Sequence, residues 1–149
     1  MLIAVPKEIK SNEYRVGLTP AGVRELVSQG HQVIVQQHAG AAIGLRNEDY
    51  LAAGAELVST ADDIYARGEL IVKVKEPQAT ECAMLRSGQV LFAFLHLAAD
   101  LNQARALAAS KAICIAYETV TDQAGGLPLL APMSEVAGRM AIQAGAHYL

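Results

Sequence analysis

The class of fold is indicated by residues 1–35, MLIAVPKEIKSNEYRVGLTPAGVRELVSQGHQVIV, in which two short apolar runs flank one helical pattern. The runs Leu2–Val5 and Gln32–Val35 are nearly all apolar, which is typical of strands that are covered on both faces. Between them, Thr19 is a good N-cap for a helix, and Gly30 is a good end for it. The segment therefore predicts a strand–helix–strand unit of a parallel sheet.

The same alternation continues along the chain, with further apolar runs at Leu70–Val74, Val90–Phe94 and Ala112–Ala116. Between these runs, one short helix is predicted to begin at Ser59 or Thr60 and to end at Gly68. Another is predicted to begin at Asp100, where Gln103 completes the pattern of a capping box. Strands that alternate with helices predict an α/β fold, with a Rossmann-like or flavodoxin-like, mostly parallel sheet and helices on both faces. No G-x-G-x-x-G follows any strand, so the nucleotide fingerprint is lacking.

The last part of the chain has a different pattern. Leu127–Leu130 is interpreted as a short returning strand after a turn rich in glycine. Ser134 is the expected N-cap of a final helix, which contains many small residues and continues to Leu149 without a stop signal.

Composition excludes several functional classes. The 149 residues are 52% hydrophobic and 18% charged, which disfavours a disordered chain. The net charge of −3 disfavours nucleic acid and anionic membranes as binding partners. No apolar stretch is long enough for a transmembrane helix, and the opening segment does not resemble a signal peptide, so a cytoplasmic protein is expected. Cys82 and Cys114 fit no metal-binding spacing and are interpreted as small apolar residues, and the four histidines form no metal pattern.

Three side chains of basic character follow three of the predicted strands. In open α/β sheets, ligands bind beyond the carboxyl ends of the strands, where Arg15, Lys75 and His96 are expected to lie. A crevice between these strand ends, with three basic side chains around it, would suit a small carboxylate ligand. Each residue also has a simpler explanation: Arg15 could be solvated, Lys75 could only end a strand, and His96, between two leucines, could be a hydrogen-bonded core residue.

Four stretches of the chain resemble alanine dehydrogenases. They are MLIAVPKEIKSNEYRVGLTPAGVRELVSQGHQVIVQQHAGAAIG, LIVKVKEP, LFAFLHLA and APMSEVAGRMAIQAGAHYL. The resemblance extends over essentially the whole chain. It implies an enzyme that oxidises L-alanine to pyruvate and ammonia with NAD as the hydride acceptor, and it implies a homo-oligomer, which in the family is a hexamer.

The resemblance also assigns roles to particular residues. It implies that Arg15 binds the substrate carboxylate, that Lys75 contacts the substrate and that His96 is the catalytic acid and base. It places Met133 and Ser134 near the nicotinamide. A guanidinium can hold a carboxylate through two charge-assisted hydrogen bonds, a lysine can stabilise a developing oxyanion, and an imidazole can transfer protons near neutral pH.

The chain is shorter than the family members that it resembles. By resemblance, residues 1–130 are the N-terminal part of the substrate-binding, catalytic domain, and residues 131–149 begin a helix that links it to an NAD-binding domain. That domain is absent from these residues, so we expect neither NAD binding nor turnover by this chain alone. Two alternatives remain open: a relative of the transhydrogenase α subunit, which shares R-V-x-x-T-P, and a non-catalytic module that binds pyruvate or alanine or serves assembly.

Overall fold

The computed structural model describes residues 1–149 and contains one six-stranded sheet in which every neighbouring pair is parallel. The strands are β1 (Leu2–Val5), β2 (Gln32–Gln36), β3 (Glu56–Val58), β4 (Leu70–Val72), β5 (Val90–Ala93) and β6 (Ile113–Ala116). The helices are α1 (Pro20–Ser28), α2 (Asn47–Ala52), α3 (Ala61–Arg67), α4 (Ala79–Met84), α5 (Leu101–Ser110) and α6 (Ala131–Tyr148).

The strand order, β3-β2-β1-β4-β5-β6, places the helices on both faces of the sheet. Because the chain moves outward in one direction from β1 to β3 and in the other from β4 to β6, right-handed crossovers place the two sets of helices on opposite faces. Val23 of α1 and Tyr50 of α2 lie in one core cluster, whereas Ile64 of α3 and Leu107 of α5 lie in the other. This is the Rossmann strand order and not the flavodoxin-like one.

One half of the sheet is covered on a single face only. Along β6, Cys114 and Ala116 pack against the core cluster under α3 to α5, and alternation directs Ile113 and Ile115 to the opposite face. No helix covers them there, so Ile113 is 55% exposed and Ile115 is 43% exposed. We call this region, formed by the α1-side faces of β4, β5 and β6, the open face.

An apolar hollow of about 480 Å³ lies over the open face. Its lining comes from β1, β4, β5, α1 and the segments after β1, β5 and β6: Ile3, Gly17, Leu18, Leu26, Leu70, Val72, Phe92, Phe94, Tyr117 and Leu129. The prediction of helices on both faces is therefore correct, but the cover on the α1 side extends over only half of the strands.

The predicted helix caps at Thr19, Thr60 and Asp100 are confirmed. Thr19 Oγ1 accepts a hydrogen bond from the backbone of Gly22 at 3.3 Å, and Thr60 Oγ1 accepts one from the backbone of Asp63 at 3.1 Å. Asp100 Oδ1 accepts hydrogen bonds from the backbone N–H groups of Asn102 and Gln103 at 2.9 and 3.1 Å. The capping box predicted there is wrong.

The reason is that the side chain of Gln103, the second member of the predicted capping box, makes its hydrogen bond with a different residue. The amide of Gln103 is buried and donates to Leu95 O at 2.9 Å, so it does not return to the backbone of the cap. This side chain therefore ties α5 to the end of β5.

Two elements differ from expectation. The edge strand β3 has only three residues and begins with a glutamate, so it gives no apolar run. The returning strand predicted at Leu127–Leu130 is wrong, because Leu130 and Ala131 both donate to Leu127 O and form a turn that starts α6. Ser134 therefore lies inside the first turn and is not the cap.

Helix α6 has 18 residues, about 27 Å in length, and all of them are solvent exposed.

None of the helices has both the length and the apolar composition needed to cross a membrane.

Candidate functional site

The segment that carries Arg15 crosses the end of β4. Val16 is buried in the α1-side core cluster, and Gly17 lies directly against the backbone of β4. A Cβ atom on Gly17 would stand 2.5 Å from Val72 O and 2.9 Å from the carbonyl carbon of Val72, closer than the Cβ atoms of real side chains come to other heavy atoms. The absence of a side chain at Gly17 therefore allows this segment to approach the strand that leads to Lys75.

Arg15 makes a two-point ion pair with Glu13. The Nε and Nη2 groups of Arg15 donate to Glu13 Oε1 and Oε2 at 2.8 and 2.6 Å, and the backbone N–H of Arg15 donates to Oε1 at 2.9 Å. The hydrogen bonds from Arg15 outweigh the cost of burial and lower the pKa of Glu13 from 4.5 to about 2. The other terminal nitrogen, Nη1, makes no hydrogen bond within the chain.

Arg15 also lines a pocket of about 510 Å³ next to the end of β1. The other lining residues are Lys7, Glu8, Glu13, Tyr14, His38, Ala39, Ala41 and Ala42. Lys75 and His96 are not among them, so this pocket contains only one of the three predicted ligand-binding residues.

A buried lysine that the sequence analysis did not select lies beside this region. Lys73 is 1% exposed, and its Nζ contacts Glu81 Oε1 at 2.8 Å and Glu8 Oε2 at 3.1 Å. Tyr65 donates its hydroxyl proton to Glu81 Oε1 at 3.0 Å, and burial together with that carboxylate raises the pKa of Tyr65. A lysine between two valines in a predicted buried strand was the available signal, since a buried charge needs a partner.

Glu8 connects this network to Lys75. Its Oε1 atom accepts the backbone N–H of Val74 at 2.7 Å and that of Lys75 at 3.4 Å. The side chain of Lys75 is half-buried and makes no hydrogen bond or ion pair, although its charge helps to lower the pKa of Glu13. Lys75 therefore offers an unpaired ammonium group close to Glu13.

His96 is exposed, so the interpretation of it as a core residue is wrong. It has a left-handed backbone conformation, with φ of +49°, three residues after the end of β5. Its backbone N–H donates to Glu118 Oε1 at 2.7 Å, and the N–H of Leu95 donates to the same carboxylate at 3.1 and 3.2 Å. The imidazole ring lies nearly parallel to Phe94, with ring centres 6.1 Å apart, and makes no hydrogen bond.

Glu118 is ionised in this arrangement. Burial opposes ionisation, but the backbone N–H groups at its own position, at His96 and at Leu95, with the charge of His96, outweigh burial and lower the pKa of Glu118. The carboxylate at the end of β6 therefore fixes the backbone of the His96 turn.

The structure brings the three predicted substrate residues to one edge of the sheet. Phe94 N donates to Val74 O at 3.1 Å, so the chain segments that lead to His96 and Lys75 are directly paired. The Arg15 segment crosses the same strand end through Gly17. Met133 and Ser134 are instead on α6, where every residue is exposed.

The end of β1 does not fit the pyrophosphate of a dinucleotide. In the Rossmann order, that group binds backbone N–H groups of a tight glycine-rich turn that leads directly into a helix. Here Pro6 has no N–H, and the N–H of Lys7 already donates to Gln36 Oε1 at 2.9 Å. Helix α1 begins only at Pro20, after 14 intervening residues.

These features define a class of protein: an α/β domain of Rossmann strand order that presents basic side chains, without a phosphate-binding turn, at the carboxyl edge of its sheet. The chain belongs to the alanine dehydrogenase/PNT family, whose N-terminal-domain model matches residues 4–137.

Individual relatives agree with this assignment. The chain is 60% identical over all 149 residues to an alanine dehydrogenase of Halomonas elongata, of which it covers 40%. A solved L-alanine dehydrogenase structure is 47% identical with a TM-score of 0.93, covering 100% of this chain and 41% of that one. A transhydrogenase from Sinorhizobium meliloti is 28% identical with a TM-score of 0.76, over 83% of this chain and 36% of that one. The chain thus spans about 40% of the length of the alanine dehydrogenases that it matches.

Proposed function

We propose that this chain is the substrate-binding part of an alanine dehydrogenase, which converts L-alanine and water to pyruvate and ammonium while it reduces NAD. The observation that carries the proposal is the position of Arg15, Lys75 and His96 beyond neighbouring strand ends, with hydrogen-bonding groups that have no partner in the chain. Residues 1–130 would form the substrate side of the cleft, and residues 131–149 would begin the helix that leads out of it.

The three residues have separate roles in this proposal. The free N–H groups of Arg15 bind the carboxylate that L-alanine and pyruvate share. The ammonium of Lys75 stabilises negative charge on the substrate oxygen as water adds to the imine. The imidazole of His96 removes a proton from the attacking water and passes it to the amino group of the carbinolamine. The neutral imidazole then accepts the proton of the carbinolamine hydroxyl as ammonia leaves, and that proton converts ammonia to ammonium. Such proton transfer is worth about 10²–10⁴-fold in rate.

Since the end of β1 does not fit a dinucleotide, NAD would be held by residues outside positions 1–149, with Met133 and Ser134 at the start of α6 facing it. The protein would act in the cytoplasm as a homo-oligomer.

Substitution of His96 tests the proposal. In a complete alanine dehydrogenase that carries these 149 residues, His96→Ala should reduce turnover by at least about 10²-fold and leave pyruvate binding nearly intact, because Arg15 and Lys75 remain. Steady-state kinetics and pyruvate titration measure the two quantities. A normal kcat in this variant would refute the assignment of His96.

Binding by the isolated chain distinguishes the alternatives. Calorimetric titration with pyruvate and with NADH, separately, should detect pyruvate only. Oxidation of alanine by the isolated chain with NAD would contradict the proposed division of the enzyme, and binding of neither ligand would favour an assembly role.

A further inference from the structure

We propose that Glu13 is a positioning residue for substrate binding: it occupies the Nε–Nη2 edge of Arg15, so that the Nη1–Nη2 edge is the one presented to the ligand carboxylate. This inference rests on the proposed function of Arg15 and deepens it, since it identifies the residue that determines which face of the guanidinium binds the substrate.

The donor inventory of arginine supports this assignment. A guanidinium has five N–H donors and two edges that can each form a parallel pair of hydrogen bonds with a carboxylate. Glu13 accepts one bond from Nε and one from Nη2. Both hydrogens of Nη1 and one of Nη2 remain, and one hydrogen from each of these two nitrogens forms the second edge.

The carboxylate of Glu13 is itself held in place. Its side chain is only 6% exposed, whereas that of Arg15 is 45% exposed. Glu13 Oε1 also accepts the backbone N–H of Arg15, and the backbone N–H of Glu13 donates to Lys10 O at 3.1 Å. The fixed partner is therefore the acid, and the long, half-exposed arginine takes its orientation from it.

The charge of Glu13 is maintained at the pH of any enzyme assay. Arg15, and to a smaller extent Lys75, lower the pKa of Glu13 to about 2. Glu13 remains an acceptor for the Nε–Nη2 edge throughout the neutral range, and a second carboxylate must bind the other edge.

The variant Glu13→Gln tests this inference in a complete alanine dehydrogenase that carries these residues. An amide offers one acceptor oxygen instead of two, so the guanidinium loses its fixed orientation. We expect the KM for pyruvate to rise roughly tenfold with kcat within about twofold, since the loss affects ground-state and transition-state binding equally. The KM values for ammonium and NADH should not change.

A matched control comes from the opposite edge of the sheet. Arg67 makes a two-point pair with Glu56 at 2.6 and 2.8 Å, and Arg67 lines a pocket with Leu2 and Gln32, the first residues of β1 and β2, at the amino ends of the strands. Glu56→Gln removes the same kind of interaction and should leave every KM unchanged. An equal rise of the pyruvate KM in both variants would mean that a general loss of structure, and not positioning, is responsible.

A double-mutant cycle separates this inference from the proposed function. Lysine has no second edge, so Glu13→Gln should have little further effect on the pyruvate KM in an Arg15→Lys background. If Arg15→Lys alone leaves that KM unchanged, the proposed role of Arg15 fails. If Arg15→Lys raises it and Glu13→Gln does not, only the positioning role is overturned. A lower KM in Glu13→Gln would also overturn it, because Glu13 would then be a competitor of the substrate.

Discussion

Lys73 and Lys75 are two residues apart, yet their environments are opposite. Lys73 is enclosed between Glu8 and Glu81 at 1% exposure, whereas Lys75 is half-buried without a partner. A buried lysine that two carboxylates surround serves the structure, because its removal leaves negative charges without compensation. An unpaired lysine at the carboxyl edge of a sheet is available to a ligand. The resemblance motif K-V-K-E-P assigned the substrate role to the second lysine, and the environments are consistent with that choice.

Replacement of each lysine by methionine should separate the two roles. Lys73→Met should destabilise the fold by about 3–5 kcal/mol, since Glu8 and Glu81 would be buried without a cation. Lys75→Met, the same change two residues away, should alter the free energy of unfolding by less than about 1 kcal/mol. Urea denaturation followed by circular dichroism measures both. Equal losses of stability in the two variants would contradict the distinction.

At the scale of elements, the candidate site depends on side chains that join one strand end to the next. Glu8, after β1, accepts backbone N–H groups after β4, and Glu118, after β6, accepts those after β5. The second contact holds His96 in a left-handed conformation, which costs a residue other than glycine about 1–2 kcal/mol. Such strain persists where surrounding contacts enforce it, and it is common at functional sites.

The approach of the Arg15 segment to β4 gives a prediction at the same scale. Gly17→Ala places a methyl group against Val72 O, so the segment must move, and we expect a loss of about 1–3 kcal/mol in stability together with weaker pyruvate binding. Gly138→Ala is the matched control, because a Cβ there meets no atom within 4 Å and alanine favours α6.

Thermal unfolding and pyruvate titration of the two glycine variants provide the measurements. Unchanged pyruvate binding by Gly17→Ala would show that this close approach does not position Arg15.

For the whole molecule, the main feature is the open face of the sheet. Helices α3, α4 and α5 cover one face completely, but α1 and α2 cover only the β1 to β3 half of the other. Parallel sheets are almost always buried on both faces, so the exposed isoleucines of β6 and the apolar hollow beside them leave hydrophobic surface without cover.

The chain of 149 residues, expressed by itself, should therefore self-associate through this surface. Ile113→Lys combined with Ile115→Lys should shift it towards the monomer in sedimentation velocity, because two charges then oppose contact between apolar faces. Leu51→Lys is the control. Leu51 is 53% exposed, but it lies on α2, away from the open face, so this change should not alter the proportions of monomer and oligomer. A fully monomeric parent chain would contradict the prediction.

The amino-acid sequence was sufficient for the fold class, and it supplied the candidate site residues, whose roles stay a prediction. Short apolar runs, capping residues such as Thr19 and the glycine that ends α1 are local signals, because they reflect hydrogen bonds and burial within a few residues. The family motifs named Arg15, Lys75 and His96, and the parallel order of the strands places all three at one edge.

The tertiary structure alone decided what surrounds those residues. No local pattern shows that Glu8 and Glu81 enclose Lys73 or that Glu118 holds the His96 turn. In these contacts the partners are 8 to 65 residues apart in the chain. Nor could the sequence show that β3 exists as a three-residue edge strand, or that half of one sheet face is open. The physical reason is that burial and charge pairing depend on which segments meet in space, and chain topology, not local composition, determines those meetings.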